Sequence, residues 1–288
     1  MILYHYCSNE AFLSIIQNRS IWLSSLSLSN DSMEGKWLRK VFREICEEDQ
    51  LDQIHVDTIM HHFIKLEREV DCLGFCLSES RDQLSQWRGY ADDGKGMCIG
   101  FSECYLNNSL AHDKSDSEIT FELNKIDYNL DDQKKGLTPI YKKMKDLSIK
   151  NSLIHTVVFA DEKITKTKIK RADSLRGTAH MLLNRIVNLM LPRLFMVKNP
   201  AFGEEQEWRL LSYILSDYEY LETGVSFRST ENSIKPYRTF DLVASETNPI
   251  AEVILGPKNI TPLKIVESFL SQNSFKEVKV SRSDASYR

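Results

Sequence analysis

Polar and apolar residues alternate with a period of two over residues 205–212. Glu205, Glu207, Arg209 and Leu211 fall on one side, and Gln206, Trp208, Leu210 and Ser212 on the other. The pattern predicts a strand over 207–215 with two carboxylates and a guanidinium on one face and an apolar anchor on the other. Charges so placed must meet each other, water or a ligand. Two readings stay open: one wall of a functional cleft, or a solvated sheet edge where the acids pair with Arg209.

The same criterion predicts strands over 2–6, 21–23, 73–78, 97–101, 119–128, 225–228, 237–242, 251–255 and 277–281. Ser8 caps a helix whose buried stripe is Phe12, Ile15 and Ile16. Asp31-Ser32-Met33-Glu34 has the form of a helix-start box, followed by a helix over 33–48 and another over 56–69. Residues 79–96 are polar and turn-rich, either the connection of a long hairpin or a functional loop framed by two strands. From about 131 to 192 the spacing turns helical, with Leu182, Leu183, Ile186, Leu189 and Met190 as one apolar face. This predicts two to four inserted helices. Pro262 opens a last helix to about 270. Strands, then helices, then strands predict one α+β domain over 1–288, with a mainly helical insertion at about 131–192.

Composition narrows the classes. Aromatic residues make up 10% of the chain and hydrophobic ones 42%, enough for a core and against disorder. A net charge of −4 supplies no global field to recruit nucleic acid or an anionic membrane. No apolar run spans a bilayer and no basic-then-apolar leader opens the chain, so the expectation is a cytoplasmic, reduced protein. The six cysteines, Cys7, Cys46, Cys72, Cys76, Cys98 and Cys104, miss the usual metal-ligand spacings. They are expected to be small core residues, with no metal site.

Three stretches carry candidate chemistry. His5, between Tyr4 and Tyr6, projects opposite to both; it can bind a sugar hydroxyl or be a satisfied structural histidine. Trp87-Arg88-Gly89-Tyr90, before Asp92-Asp93-Gly94-Lys95-Gly96, offers aromatic faces, cations and open amides to a phosphate and a ring. A rigid loop with Arg88 paired to an acid is the alternative. Leu3-Tyr4-His5-Tyr6, Gln86-Trp87-Arg88-Gly89-Tyr90 and the strand of Glu205 and Glu207 are taken as three walls of one cleft. Lys163, Lys166, Lys168, Lys170 and Arg171 place five cations in nine residues. They can meet RNA or DNA, or form a solvated helix end. His61-His62 lies on a charged helix and is taken as surface.

Several motifs recur together: Leu3-Tyr4-His5-Tyr6-Cys7-Ser8, Ile21-Trp22-Leu23-Ser24, Asn30-Asp31-Ser32-Met33-Glu34 and Asp82-Gln83-Leu84-Ser85-Gln86-Trp87-Arg88-Gly89-Tyr90. Gly96-Met97-Cys98-Ile99-Gly100-Phe101, Phe202 with Glu205 and Glu207-Trp208-Arg209, and Ile254-Leu255-Gly256-Pro257 complete the set. In this order they resemble the bacterial domain of unknown function (DUF) family 2971, over nearly the whole chain. More distantly, a strand with a histidine between aromatics, a short strand ending in serine and a late Glu-x-Glu strand are similar to ADP-ribosyltransferases. That resemblance implies a split β-sheet cleft that binds NAD. It implies His5 at the nicotinamide ribose or amide, Ser24 or Ser25 packing the ribose, and Glu207 as the catalytic acid with Glu205 nearer the acceptor; Tyr6 is counted with the cofactor-binding residues. His5 with a second-strand serine mixes two subtypes of that superfamily.

The implied chemistry is physically coherent. Breaking the nicotinamide–ribose bond creates an oxocarbenium-like centre that a fixed carboxylate stabilises. Arg88 would hold the pyrophosphate, and Trp87 and Tyr90 would stack the ring. The expected activity is therefore NAD-dependent ADP-ribosyl transfer to a macromolecule, a role such bacterial proteins fill as toxins or anti-phage effectors. The alternatives are a nucleotide-binding or sensing module without turnover, and a nuclease or glycosidase in the same cleft. Two acids on one strand face sit poorly on opposite sides of a scissile bond, which weighs against the glycosidase.

Overall fold

Strand β3 (Asp71–Ser78) is the hub of a ten-stranded sheet. The computed structural model describes residues 1–29, 31, 33–113, 119–159, 166–214, 224–230, 232–243 and 248–287. One edge of β3 pairs along its length with β6 (Glu207–Ile214), from Asp71 opposite Ile214 to Ser78 opposite Glu207. Strand β5 (Glu122–Lys125) lies outside β6.

The other edge of β3 is shared by two strands. β1 (Ile2–Cys7) meets it only at Tyr4 opposite Ser78. β2 (Ser20–Ser25) meets it at Ser24 opposite Gly74 and Ser25 opposite Leu73. Two arms leave from there. One runs through β1, β4 (Met97–Ser102), β9 (Ile250–Leu255) and β10 (Lys279–Arg282); the other through β2, β8 (Ile234–Asp241) and β7 (Ser226–Ser229). The β9–β10 pair is parallel and the other strand pairs are antiparallel, so the sheet is mixed and open. Between the arms, residues 75–77 of β3 have no partner strand on that edge among the described residues.

Alternation along β3 and β6 decides what each face buries. Leu73, Phe75, Leu77 and Leu210 face a core shared with α1 (Asn9–Asn18), α5 (Glu103–Asp113) and α9 (Leu263–Gln272). Helix α1 forms as its sequence predicts: Ser8 Oγ accepts from the Ala11 N–H at 3.2 Å, and Phe12, Ile15 and Ile16 are buried. On the opposite face, Cys72 and Leu211 join a core with α2 (Trp37–Glu48), α3 (Gln53–Glu69), α6 (Leu130–Phe159), α7 (Lys166–Asn188) and α8 (Leu191–Leu194). Over the β1 arm this second face is covered by α4 (Leu84–Tyr90), whose Trp87 packs with Tyr4, Tyr6, Cys98 and Ile254.

The result is a mixed α/β protein. β1 and β6 lie in one sheet although about two hundred residues of sequence separate them. Several local expectations are corrected. The predicted loop over 79–96 contains α4, because Asp82 anchors the Trp87 indole at 2.6 Å and draws the chain inward. Helix α5 follows β4 without a separate signal in the alternation. The strand expected over 119–128 is reduced to β5. The helix expected from Met33 begins at Trp37, and Glu34 turns to the sheet instead of capping it. His62 is buried, 2.6 Å from Asn184 Oδ1, not on the surface. Among the described residues, no helix is long and apolar enough to cross a membrane.

Candidate functional site

A cavity of about 240 Å³ opens on the second face, where the β1 arm and the β3–β6 pair diverge. Tyr4, His5 and Tyr6 line it from β1, Cys76 and Leu77 from β3, Gln86 and Tyr90 from α4, and Glu207 and Arg209 from β6. The three stretches taken as walls of one cleft do meet. Ser29, Asp31, Glu34, Lys198, Glu205 and Lys235 complete most of the remaining rim.

Its floor is a buried charge network. Arg209 is 1% exposed. Its Nη1 and Nη2 donate to the two oxygens of Glu34 at 2.6 and 2.8 Å, and its Nε and Nη2 to those of Glu207 at 2.7 and 2.9 Å. The Phe195 carbonyl takes a further bond from Nη1 at 2.8 Å. Two bidentate pairs thus hold one guanidinium. Lys198 Nζ bridges Glu205 at 2.6 Å and Glu207 at 3.3 Å. Glu205 Oε1 also accepts from the Tyr90 hydroxyl at 2.9 Å.

Burial alone would raise the Glu207 pKa, but Arg209 and then Lys198 outweigh it and hold the carboxyl below the usual range. At Glu34 burial wins over Arg209, and the pKa rises. Lys198 is opposed by burial, yet Glu207 and Glu205 push it up and keep it charged.

Glu205 does not share the strand face with Glu207, contrary to the period-two reading. It ends a 3₁₀ turn, Pro200–Glu205, and Gln206 follows in the left-handed region at φ 44°. The turn brings the Glu205 carboxylate back to the same lysine, so the acids converge through Lys198 instead of through alternation.

His5 sits in the split of the sheet. Its ring stacks on Phe75 with centroids 4.0 Å apart, and Nδ1 donates to the Cys76 carbonyl at 2.8 Å. That bond serves a β3 carbonyl in the stretch lacking a partner strand, and leaves Nε2 as the acceptor nitrogen. Burial lowers the His5 pKa to about 4, so the ring is neutral near pH 7.

The remaining candidates are placed elsewhere. Ser24 and Ser25 do not line the cavity; Ser25 Oγ donates to Asp71 at 3.0 Å. Trp87 is fully buried under α4 and cannot stack a ligand ring. Arg88 is exposed, with its guanidinium 5.8 Å from the Tyr287 ring, outside the cavity. Lys163 lies outside the described residues. Lys166, Lys168, Lys170 and Arg171 lie on the first turns of α7, with their side chains also outside them. The cysteines are free; Cys7, Cys46, Cys72 and Cys98 are buried as expected of core residues, but Cys76 and Cys104 are exposed, Cys76 toward the cavity. Among the described residues no group of histidine, cysteine and acidic side chains is arranged to hold a metal ion.

The sequence pattern does not single out Glu34, Lys198 and Lys235. Glu34 reads locally as a cap, Lys198 and Lys235 carry no periodic signal, and Gln86 stands in an expected cleft wall without a role of its own. An arginine set among the apolar residues of a strand that the fold buries is a clue that calls for further acid.

A family model described as a protein of unknown function (DUF2971) matches residues 86–210. That segment carries Gln86, Tyr90, Lys198, Glu205, Glu207 and Arg209, and leaves out β1 and Glu34. No curated protein and no solved structure matches the chain.

Proposed function

We propose that the cavity is the site of an enzyme that cleaves the nicotinamide–ribose bond of NAD and transfers ADP-ribose to a macromolecule, on an ADP-ribosyltransferase-like split sheet. The observation that carries this reading is the charge balance of the cavity. Four carboxylates, Asp31, Glu34, Glu205 and Glu207, line it against three cations, Lys198, Arg209 and Lys235. Lys198 and Arg209 are already paired with acids. A partly open acidic site favours a cationic pyridinium ring and the positive charge that develops at C1′. The C1′–N bond breaks with its electrons leaving on nicotinamide. The acceptor nucleophile forms the new bond to C1′, and its proton passes to a carboxylate, with Glu205 the less buried of the pair. Lys235 bonds the Leu28 carbonyl, not a carboxylate, and takes the pyrophosphate role first given to Arg88.

Binding without turnover is the second reading. It is favoured by Glu207, both of whose oxygens already accept charged donors. A two-carboxylate glycosidase fits less well, since Glu205 and Glu207 contact the same Lys198 nitrogen and so approach from one side.

Incubation of the purified chain with cell extract and NAD labelled separately in the nicotinamide and adenylate moieties separates these readings. Adenylate label on a macromolecule with release of nicotinamide supports transfer. Release alone reduces the activity to hydrolysis. Saturable binding with neither leaves the sensing module.

A further inference from the structure

Gln86 lines the cavity and is 7% exposed, yet its side-chain amide makes no hydrogen bond with any described residue. Its amide nitrogen and oxygen are not among the fully buried polar atoms that lack a partner, so they open to the cavity, where water or a ligand group can satisfy them. Nor is it loose. Its helix is pinned on both sides: Tyr6 Oη accepts from the Gln83 N–H at 3.0 Å, and Trp87, fully buried, donates to Asp82 at 2.6 Å. Asp82 is held in turn by Ser283 Oγ at 2.6 Å and the Asp284 N–H at 2.7 Å. A rigid helix therefore presents an unpartnered donor and acceptor to a cavity whose other polar groups are largely paired among themselves.

We infer that Gln86 is the recognition residue of this site, reading a ligand group that presents one hydrogen-bond donor and one acceptor side by side. This rests on the NAD reading and deepens it. In a dinucleotide two groups have that chemistry: the carboxamide of nicotinamide and the amino edge of adenine. The cavity holds about 240 Å³, below the roughly 300–1,000 Å³ of clefts that take a whole drug-sized ligand. One end of the dinucleotide enters and the other stays outside.

The test is calorimetric titration of the intact chain with three ligands: NAD, its analogue with 3-acetylpyridine in place of nicotinamide, and its analogue with unsubstituted purine in place of adenine, each analogue lacking one amino donor without a change of charge. The wild-type protein should bind NAD and discriminate roughly tenfold or more against one analogue, the value of a single mismatched buried hydrogen bond. Which analogue is rejected identifies the end that is read. Gln86→Leu should bind NAD and the rejected analogue equally. Should Gln86→Leu melt too low to titrate, Gln86→Met, which keeps the length of the side chain and removes both donor and acceptor, serves in its place and should lose the preference. A general loss of stability would weaken all three ligands alike and leave their ratios unchanged. If the wild type binds NAD but not selectively, or if the preference survives in both variants, the role of Gln86 is overturned while the NAD reading stands. If the wild type binds none of the three, both fall.

Discussion

The two edges of β3 behave as different materials. Toward β6 it is zipped over eight residue pairs, from Asp71 to Ser78. Toward the arms it is held by one pair to β1 and two to β2. The zipped edge carries Glu207 and Arg209 on rigid backbone, where a bidentate geometry can be maintained. The open edge leaves the space that becomes the cavity, with His5 bonding a carbonyl in the gap. A site needs both: fixed charges on one side, and a break in the backbone ladder through which a ligand can reach them.

The comparison breaks most sharply at Arg209. Arg209→Leu leaves Glu34 and Glu207 buried and facing each other without a cation between them, which should cost about 3–5 kcal/mol. A urea melt showing less than about 1 kcal/mol of change would mean the network holds nothing together.

Glu207→Gln is the next step down. Arg209 keeps both bonds to Glu34 and Lys198 keeps Glu205. The loss should be about 1–3 kcal/mol, that of charged hydrogen bonds becoming neutral ones. The variant should remain folded with a lowered melting temperature, so activity must be compared at equal folded protein. If NAD turnover at equal folded concentration is unchanged, Glu207 serves the scaffold alone.

The open edge is sharpened by pH. His5 has a folded pKa of about 4 against the usual 6.5. The unfolded chain binds the proton more tightly, so the stability that His5 contributes is present above about 6.5 and is lost as pH falls toward 4. His5→Phe should cost about 1 kcal/mol at neutral pH through the lost bond to Cys76. It should also flatten the slope of melting temperature between the two pKa values. Parallel profiles for the variant and the wild type would show that the histidine is not held neutral.

Arg88→Ala should do least, within about 0.5 kcal/mol in stability, because its exposed guanidinium touches neither edge of β3. NAD binding should be unchanged; a marked loss of affinity would return the pyrophosphate role to Arg88 and place it in the site after all.

Much of the fold was legible because its signals are local. Period-two alternation located β1, β3, β4, β6 and β9, and it separated Trp208 and Leu210 from Glu207 and Arg209 because side chains on any strand alternate. The cap at Ser8 and the stripe of α1 followed from chemistry within one helical turn. The site followed only in outline. Which acid meets Arg209 is decided between residues 175 apart, Glu34 and Arg209, by the need to compensate a charge that the sheet buries. That need depends on the helices stacked over the strand, and no pattern within either segment carries it. Gln86 belongs to a stretch expected as a cleft wall, yet only the seat of α4 over the split turns it to the cavity. The sequence by itself determined which residues lie on which face of each strand. Tertiary structure alone decided which faces meet, because pairing across the sheet is set by the burial of charge and apolar surface between segments distant in the chain.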